Sequence, residues 1–335
     1  MPQPNSQSQV NKQHRLADAV REQAAWVMAQ AENVAINAEN IPDYVARLLA
    51  QYPLVTTLDP EHHFLSQAEP AATVAYVLAL DSVNFGSGYF GIAQAAGVSL
   101  EYTVVAGALK KAFAENRLNT PEKWAEVTAI DCHDVFAIPM SAAPQLDALM
   151  ALFANHLQVT GLQMLNRYSG DVMQLLAAAG NSAEALVELV ADWPTFRDVA
   201  IYRGQEVPFY KRAQILAADM QLALQGKPPA AFTDMDRLTC FADNMVPHVL
   251  RHDGIVTYSD DVLHRIEAGI EIPRGSEEET EIRAAGVHGI ELMRKAAEDA
   301  GHAVTAVNLD HIIWNRGYES GIYAKPTHKT KSVWY

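Results

Sequence analysis

Cysteine is scarce in this sequence of 335 residues: there are only two, Cys132 and Cys240. Neither lies in a Cys-x-x-Cys or Cys-x-x-x-His spacing, so no zinc site is predicted. We expect both to be buried free thiols in a reducing compartment. The 12 histidines show no His-x-His or His-Glu-x-x-His spacing, and no Gly-x-x-x-x-Gly-Lys loop occurs. We therefore predict no metal and no cofactor, and expect neither ATP nor NAD.

Positive charge is also scarce, with 25 Lys and Arg against 40 Asp and Glu and a net charge of −15. Proteins that grip nucleic acid through many phosphates have the opposite balance, so no nucleic-acid partner is expected. A local basic pocket for one phosphate remains compatible with this charge. No apolar run approaches ~18 residues, so no transmembrane helix or membrane partner is expected. Residues 1–15 are mostly polar and contain no apolar run. They are expected to be disordered rather than a signal peptide, and a cytoplasmic location is predicted.

What the sequence does contain is helical periodicity. Apolar residues recur at three- and four-residue spacing, as in amphipathic helices. The clearest stretches are residues 15–36, 144–161, 181–193, 207–224 and 276–301. Gly161 is expected as a helix C-cap, and Asn181 and Ser276 are expected as N-caps.

Strand signals are sparse by comparison. Residues 82–90 and 328–335 could form short strands, and loops are expected at 53–70, 226–233 and 269–276. No linker divides the chain. We therefore predict a mostly α fold, a single compact helical domain over residues 16–320 with at most a few short strands. The basic, aromatic tail at residues 321–335 is expected to pack on this domain and could fold back as an edge hairpin.

Five segments stand out in combination. They are VLALDSVNFGSGYF (77–90), FRDVAIYRGQEVPFYKRAQILAAD (196–219), LTCFADNMVPHVLRHDGIVTYSDDVL (238–263), RGSEEETEIRAAGVHGIELM (274–293) and LDHIIWN (309–315). In this order and spacing they resemble the queuosine salvage family, over roughly residues 40–320. The resemblance implies a queuosine 5′-phosphate N-glycosylase, which hydrolyses the bond between the 7-deazaguanine base queuine and ribose phosphate. It also implies an all-helical fold similar to helix-hairpin-helix DNA glycosylases, a small-molecule nucleotide as partner, and no cofactor.

The resemblance makes Asp243 the catalytic carboxylate. Breaking an N-glycosidic bond builds positive charge on the ribose, and a fixed carboxylate beside the anomeric carbon stabilises that charge or attacks it. A 7-deazapurine has carbon in place of N7, so protonation there cannot improve the leaving group. The alternative is that Asp243 caps the helix entering at Pro247, although such a cap more often lies directly before the proline, at Val246.

Three residues near the middle of the chain are implied as substrate-binding. Lys211 is the expected cation for the substrate, with the 5′-phosphate as its expected partner, and Arg203 is a second phosphate or structural candidate. Tyr210, the residue before Lys211, is a third substrate-binding candidate. The alternative for Lys211 is a place on the solvated side of an amphipathic helix.

The base is expected to lie against Asp81, Asn84 and Phe85. Asn84 both donates and accepts hydrogen bonds, Asp81 can accept from ring N–H and amino groups, and Phe85 can stack. The alternative for Asn84 is a left-handed helix cap. Trp314 is a candidate wall of the base pocket or a core aromatic residue, and Asp310 is a further substrate-binding candidate.

The sequence departs from the family pattern at two places. The family usually has Cys-Phe-Trp after Asn-Phe, whereas this chain has Gly-Ser-Gly-Tyr-Phe at residues 86–90, and Asn244-Met245 stand where Tyr-Arg is common. A Gly-Ser-Gly turn can point N–H groups at an anion. These changes leave two alternatives open: an N-glycosidase for a different deazapurine or purine nucleotide, and a non-catalytic protein that binds a modified nucleoside.

Overall fold

The computed structural model describes residues 16–335, and the disorder predicted for residues 1–15 lies outside this range. Within it the chain is mostly helical. The helices are α1 Leu16–Met28, α2 Ile41–Gln51, α3 Pro70–Val83, α4 Phe90–Ala95, α5 Tyr102–Ala114, α6 Pro121–Glu126, α7 Ala129–Val135, α8 Pro144–Tyr168, α9 Val172–Ala179, α10 Ala183–Val190, α11 Lys211–Ala223, α12 Met245–His252, α13 Asp260–Glu267, α14 Glu277–Asp299, α15 Ala306–Arg316 and α16 Ser320–Tyr323. None of these helices combines the length and apolarity needed to cross a bilayer.

The strands of the described region are short and form two antiparallel pairs. β1, Val34–Ile36, pairs with β4, Val256–Tyr258. β2, Val199–Tyr202, and β3, Gln205–Pro208, form a hairpin. The predicted mostly α fold with a few short strands is confirmed, while the likeness to helix-hairpin-helix DNA glycosylases stays a prediction.

The prediction of strands at residues 82–90 and 328–335 is wrong. Residues 82 and 83 complete α3, residues 87–89 form a 3-10 turn, and residues 328–335 adopt an irregular extended course without a strand. The tail therefore forms no hairpin. The loops at 53–70, 226–233 and 269–276 are confirmed, except that Pro70 already begins α3.

Of the helix caps predicted at Gly161, Asn181 and Ser276, the first two are wrong and the third is confirmed. α8 continues through Gly161 to Tyr168, because Gly161 is a packing residue: a Cβ atom there would lie 2.6 Å from the backbone N of Ala125 in α6. At α10 the cap is Ser182 instead of Asn181, since the Ser182 hydroxyl accepts the backbone N–H of residue 185 at 3.0 Å. Ser276 caps α14 as predicted and accepts the backbone N–H of residue 279.

Two hydrophobic cores hold the domain together. The first is built mainly from α3, α5 and α8–α11, and the second from α1, α2, α12, α14 and α15. Every residue of α3 from 73 to 83 is buried, as expected of a helix that is apolar on all sides and packed at the centre of a protein. Both cysteines are buried and free, as predicted. Tyr210 contacts both cores, so the start of α11 lies where they meet.

Candidate active site

A cavity of about 830 Å³ opens where the two cores meet. Such a volume suits a nucleotide-sized ligand. The predicted site residues on its wall are Asn84, Phe85, Lys211, Asp243 and Trp314. Asp81 and Asp310 are buried behind the wall and act on Lys211 through their charge. Four of the five sequence motifs thus contribute residues to the wall of one cavity.

Asp243 is held by the helix that follows it. Its Oδ1 atom accepts the backbone N–H groups of Met245 at 2.9 Å and Val246 at 3.0 Å. The helix begins at Met245, before Pro247, so the carboxylate does cap it while also lining the cavity. Within residues 16–335, Oδ2 has no hydrogen-bond partner. The N-terminal dipole of α12 and two N–H donors therefore orient a carboxylate whose second oxygen is unengaged.

Lys211 is the first residue of α11 and is only 4% exposed. The alternative that it lies on a solvated helix face is therefore wrong. Its backbone N–H donates to Asp198 at 3.1 Å. Burial lowers the pKa of Lys211, and the charge of Asp243 is the largest effect opposing that shift. In the described part of the chain its ammonium group makes no hydrogen bond or ion pair, so it is available to a ligand.

Four buried carboxyl groups surround this lysine. Burial raises the pKa of Asp81 to about 7, and burial together with the charge of Asp243 raises the pKa of Asp310 to about 8. Burial also raises the pKa of Asp219 well above its usual range. Burial raises the pKa of Asp243 too, but here Lys211 and two backbone N–H groups oppose the shift. Since clustered buried carboxyls cannot all ionise, Asp243 is the one best supported as a carboxylate.

Arg212 holds the C-terminal end of α3 in place through hydrogen bonds. This buried guanidinium donates to the carbonyl oxygens of Asp81 at 3.2 Å and Ser82 at 2.6 Å and lies 4.9 Å from the centre of the Phe85 ring. Asn84 donates to Asp81 Oδ1 at 3.1 Å, whereas Asp81 Oδ2 is buried without a hydrogen-bond partner. Because these groups are fixed, the side of the cavity formed by Asn84 and Phe85 is preorganised.

The predicted left-handed cap at Asn84 is wrong. Asn84 has φ −74°, and the positive φ, 113°, belongs to Gly86 two residues later. Glycine relieves the steric cost of that conformation. Gly86, Gly88 and Gly91 also have the Gly-x-Gly-x-x-Gly spacing of dinucleotide-binding loops. That loop joins a β-strand to a helix, whereas this one follows helix α3, so the spacing does not indicate NAD.

Aromatic residues close another side of the cavity. Trp314 is half-buried and lines the cavity, with its ring edge-on to Tyr102 at 5.5 Å and to Tyr318 at 4.9 Å. Asp310 lies one turn earlier in α15 and accepts the backbone N–H of Phe241 at 2.9 Å. Asp310 thus positions the segment that leads to the catalytic candidate and lies off the cavity wall.

Two predicted site residues lie elsewhere. Arg203 occupies the turn of the β2–β3 hairpin with φ 48° and forms ion pairs with Glu32 at 2.6 Å and Glu277 at 3.5 Å. Tyr210 also has a positive φ, 48°, and precedes α11. Neither residue lines the cavity. Their positions favour structural roles in placing the hairpin and Lys211.

Three buried charged residues near the site were not predicted. Asp219 lies eight residues after Lys211 on α11, and Asp198 and Arg283 form an ion pair beneath the cavity. A carboxylate two turns from Lys211, inside an otherwise apolar run, was the available signal for Asp219. The tail was also missed as a wall: His328, Lys329 and other residues of 325–335 line the cavity.

One exposed group brings possible metal ligands together away from the cavity. Asp59, Glu61 and His62 have ligand atoms within 4.8 Å of one another. Asp59 already pairs with His62 at 2.6 Å. An exposed group of this kind does not by itself indicate a bound ion.

These features define a class: a mostly helical protein with a nucleotide-sized cavity in which a buried carboxylate lies beside a buried lysine. Residues 63–335 match the family model described as queuosine salvage protein. The chain belongs to this family.

Similar proteins extend over nearly the whole chain. A protein of Sphaerobacter thermophilus is 38% identical over 314 residues, covering 92% of this chain and 95% of that protein. One of Dictyostelium discoideum is 30% identical and one of Mus musculus 26% identical, each covering 94% of this chain and 98% of its own length. All three are named queuosine 5′-phosphate N-glycosylase/hydrolase.

Proposed function

We propose that this chain hydrolyses the N-glycosidic bond of queuosine 5′-phosphate and releases queuine for salvage. The names and coverage of its relatives support this substrate. The observation that carries the proposal is the placement of Asp243: its carboxylate is fixed by two backbone N–H groups, lines the cavity and is charge-coupled to Lys211.

The reaction breaks the bond between the anomeric carbon and the ring nitrogen of the base. The bonding electrons leave with the base, which takes up a proton, and a water oxygen bonds to the anomeric carbon and loses a proton. Asp243 stabilises the positive charge that develops on the ribose. Lys211 favours the ionised form of Asp243 and so opposes the effect of burial on the pKa of that carboxyl.

The base is proposed to bind against Asn84 and Phe85, with Trp314 as the opposing wall. Because the Asn84 amide donates to Asp81, its carbonyl oxygen is left as an acceptor for the N–H groups of a guanine-like edge. Phe85 is itself fixed by edge-on contact with Phe153 at 5.0 Å. A rigid recognition wall favours a planar base of defined orientation.

The test is to incubate the purified chain with queuosine 5′-monophosphate and to measure free queuine by mass spectrometry. Asp243→Asn keeps an oxygen that can accept the two N–H groups of α12, so we expect a folded protein whose turnover falls by about 10³-fold. Asp299→Asn, at an exposed ion pair on α14, is the matched control and should keep full activity.

The possible outcomes test the catalytic role of Asp243 and the identity of the substrate separately. Release of queuine by Asp243→Asn at the wild-type rate would contradict the role of Asp243. Release of another base in a panel of purine and deazapurine nucleotides, with none from queuosine 5′-monophosphate, would contradict the substrate.

We also propose that the reaction takes place in the cytoplasm on a free nucleotide. The two free thiols support a reducing compartment, and the net charge of −15 opposes binding of intact tRNA. Cell fractionation of the tagged chain tests the first point. Detection of salt-sensitive tRNA binding would contradict the second.

A further inference from the structure

We propose that residues 325–335, here called the C-terminal strap, form the phosphate end of the cavity, with Lys325 and Lys329 as the phosphate-binding side chains. This inference rests on the proposed function, because it assumes a substrate with a 5′-phosphate. It also assigns the phosphate to a different cation from Lys211.

The strap is docked near its middle and at its C-terminal end by specific contacts. The Gly86 N–H donates to the carbonyl oxygen of Tyr335 at 3.1 Å. The Ile272 N–H donates to the carbonyl oxygen of Lys329 at 2.9 Å, and the Thr330 hydroxyl donates back to the Ile272 carbonyl at 2.8 Å. The strap therefore runs between the turn after α3 and the loop before α14.

A close approach at Gly88 makes this course possible. A Cβ atom at position 88 would lie 2.1 Å from the carbonyl oxygen of Thr330 and 2.9 Å from the backbone N of Lys331. Both are backbone atoms, so a side chain could be accommodated only if the strap moved. The Gly-Ser-Gly turn at 86–88, where this sequence departs from the family pattern, is thus the surface on which the strap lies.

The strap is also buried against a charged side chain of the domain. Tyr335 is 3% exposed, and its hydroxyl donates to Glu279 at 2.8 Å. Its ring centre lies 5.1 Å from the Arg283 guanidinium. The strap is therefore an integral wall of the cavity, and the backbone that carries its lysines is fixed against the domain.

The strap brings three lysines to the cavity of an acidic protein. Lys325, Lys329 and Lys331 all line the cavity and are exposed to solvent. Lys331 pairs with Glu271 at 2.8 Å. Within residues 16–335, Lys325 and Lys329 form no ion pair. Two unpaired ammonium groups lining one cavity suit a phosphate, which lysine binds as a point charge.

The deep end of the cavity is less suitable for a phosphate. Lys211 is there, but four buried carboxyl groups share its charge, Asp243 first among them. A phosphate dianion at this end would be repelled by the Asp243 carboxylate, which would then be less available to the ribose. At the strap, the carboxylates on the wall already have partners: Glu271 pairs with Lys331, and Glu101 accepts the Tyr323 hydroxyl at 2.6 Å.

The test uses ribose 5-phosphate and ribose as probes, with affinity measured by calorimetry at low salt. The full chain should bind ribose 5-phosphate more tightly than ribose. In the double variant Lys325→Ala, Lys329→Ala we expect ribose 5-phosphate affinity to fall by about 10- to 100-fold, with ribose affinity unchanged. Lys295→Ala, at an exposed ion pair on α14, should change neither.

Unchanged affinity of the double variant for ribose 5-phosphate, or equal affinity of the wild type for both probes, would overturn the proposal. The measurement does not depend on base release. A wild type that releases no queuine but binds ribose 5-phosphate through these lysines would contradict the proposed substrate and leave the phosphate site intact.

A second variant tests the docking itself. Gly88→Ala should displace the strap, so limited proteolysis should cut residues 325–335 faster and ribose 5-phosphate affinity should fall by about ten-fold. Gly107→Ala, at a helical glycine with open space around the added Cβ, should do neither. Equal cleavage of the two variants would show that Gly88 does not hold the strap in place.

Discussion

Asp198 and Arg283 form a buried two-armed ion pair with nitrogen–oxygen distances of 2.9 and 2.5 Å. Asp198 also accepts the backbone N–H of Lys211, and Arg283 donates to the carbonyl oxygen of Ala242 at 2.9 Å. One ion pair therefore joins the segment that carries Lys211 to the segment that carries Asp243. The distance between Lys211 and Asp243 therefore depends on the Asp198–Arg283 ion pair, which does not itself line the cavity.

Asp198→Asn should therefore destabilise the protein strongly. Arg283 would keep its buried charge and lose its two-armed partner, which costs about 3–5 kcal/mol in the free energy of unfolding. Urea denaturation measures this. Asp192→Asn, which removes an ion pair with Arg167 from a 62% exposed site, should cost less than about 1 kcal/mol. Equal losses in the two variants would contradict the structural role of the Asp198–Arg283 pair.

Lys211→Met should change the pH dependence of the reaction. Lys211 lowers the pKa of Asp243, so its removal should raise that pKa. Because activity is lost as pH falls through the pKa of an essential carboxylate, the acid limb of kcat/KM should move to higher pH, by about one unit or more. A uniform fall in kcat/KM with an unmoved acid limb would instead indicate a purely structural lysine. Lys295→Met is the exposed control.

Asp310→Asn should alter stability in a pH-dependent way. The folded pKa of Asp310 is raised from 3.8 to about 8, so its contribution to stability is fully present below the unfolded pKa and is lost as pH rises through about 8. The asparagine carries no charge and can still accept the Phe241 N–H. The variant should therefore gain stability relative to the wild type between about pH 6 and pH 9, on the order of 2 kcal/mol.

Thermal unfolding of both proteins across this range measures the difference. Buried histidines such as His248, whose pKa burial lowers to about 4, add an opposite pH dependence, but they are common to both proteins and cancel in the comparison. A difference in unfolding free energy that is constant with pH would show that Asp310 does not titrate in the folded state.

Helical periodicity was enough to predict the fold class, because the apolar faces of helices such as α1 and α10 follow the 3.6-residue repeat. It could not place short elements. Each of the four strands spans only three or four residues, too few for alternation to be recognised. The pairing of β1 with β4 also joins segments that are distant in sequence. Residues 82–90 resemble a strand in sequence because Phe85, Tyr89 and Phe90 are aromatic residues of a type that also occurs in strands.

The site was predictable where a motif placed a residue on the cavity wall, as for Asp243, Lys211 and Asn84. It was not predictable where long-range packing decides the environment. Arg203 belongs to the same motif as Lys211 but faces Glu32 at a hairpin turn. The strap could not be assigned either, since its basic residues alone did not show which surface it covers.

Gly161 shows how one residue type can serve two different structural purposes. A glycine after an apolar helical run is typical of a C-cap, yet α8 passes through Gly161 because α6 crosses there, with the Pro121 carbonyl oxygen 2.6 Å from where a Cβ would lie. Gly161→Ala must push these backbones apart, and we expect a loss of about 1–3 kcal/mol. Gly107 is also inside a helix, α5, but has open space. Gly107→Ala should gain about 0.5–1 kcal/mol because alanine favours the helix. Chemical denaturation of both variants measures the two signs, and a gain in Gly161→Ala would mean that α6 and α8 do not pack as closely as described.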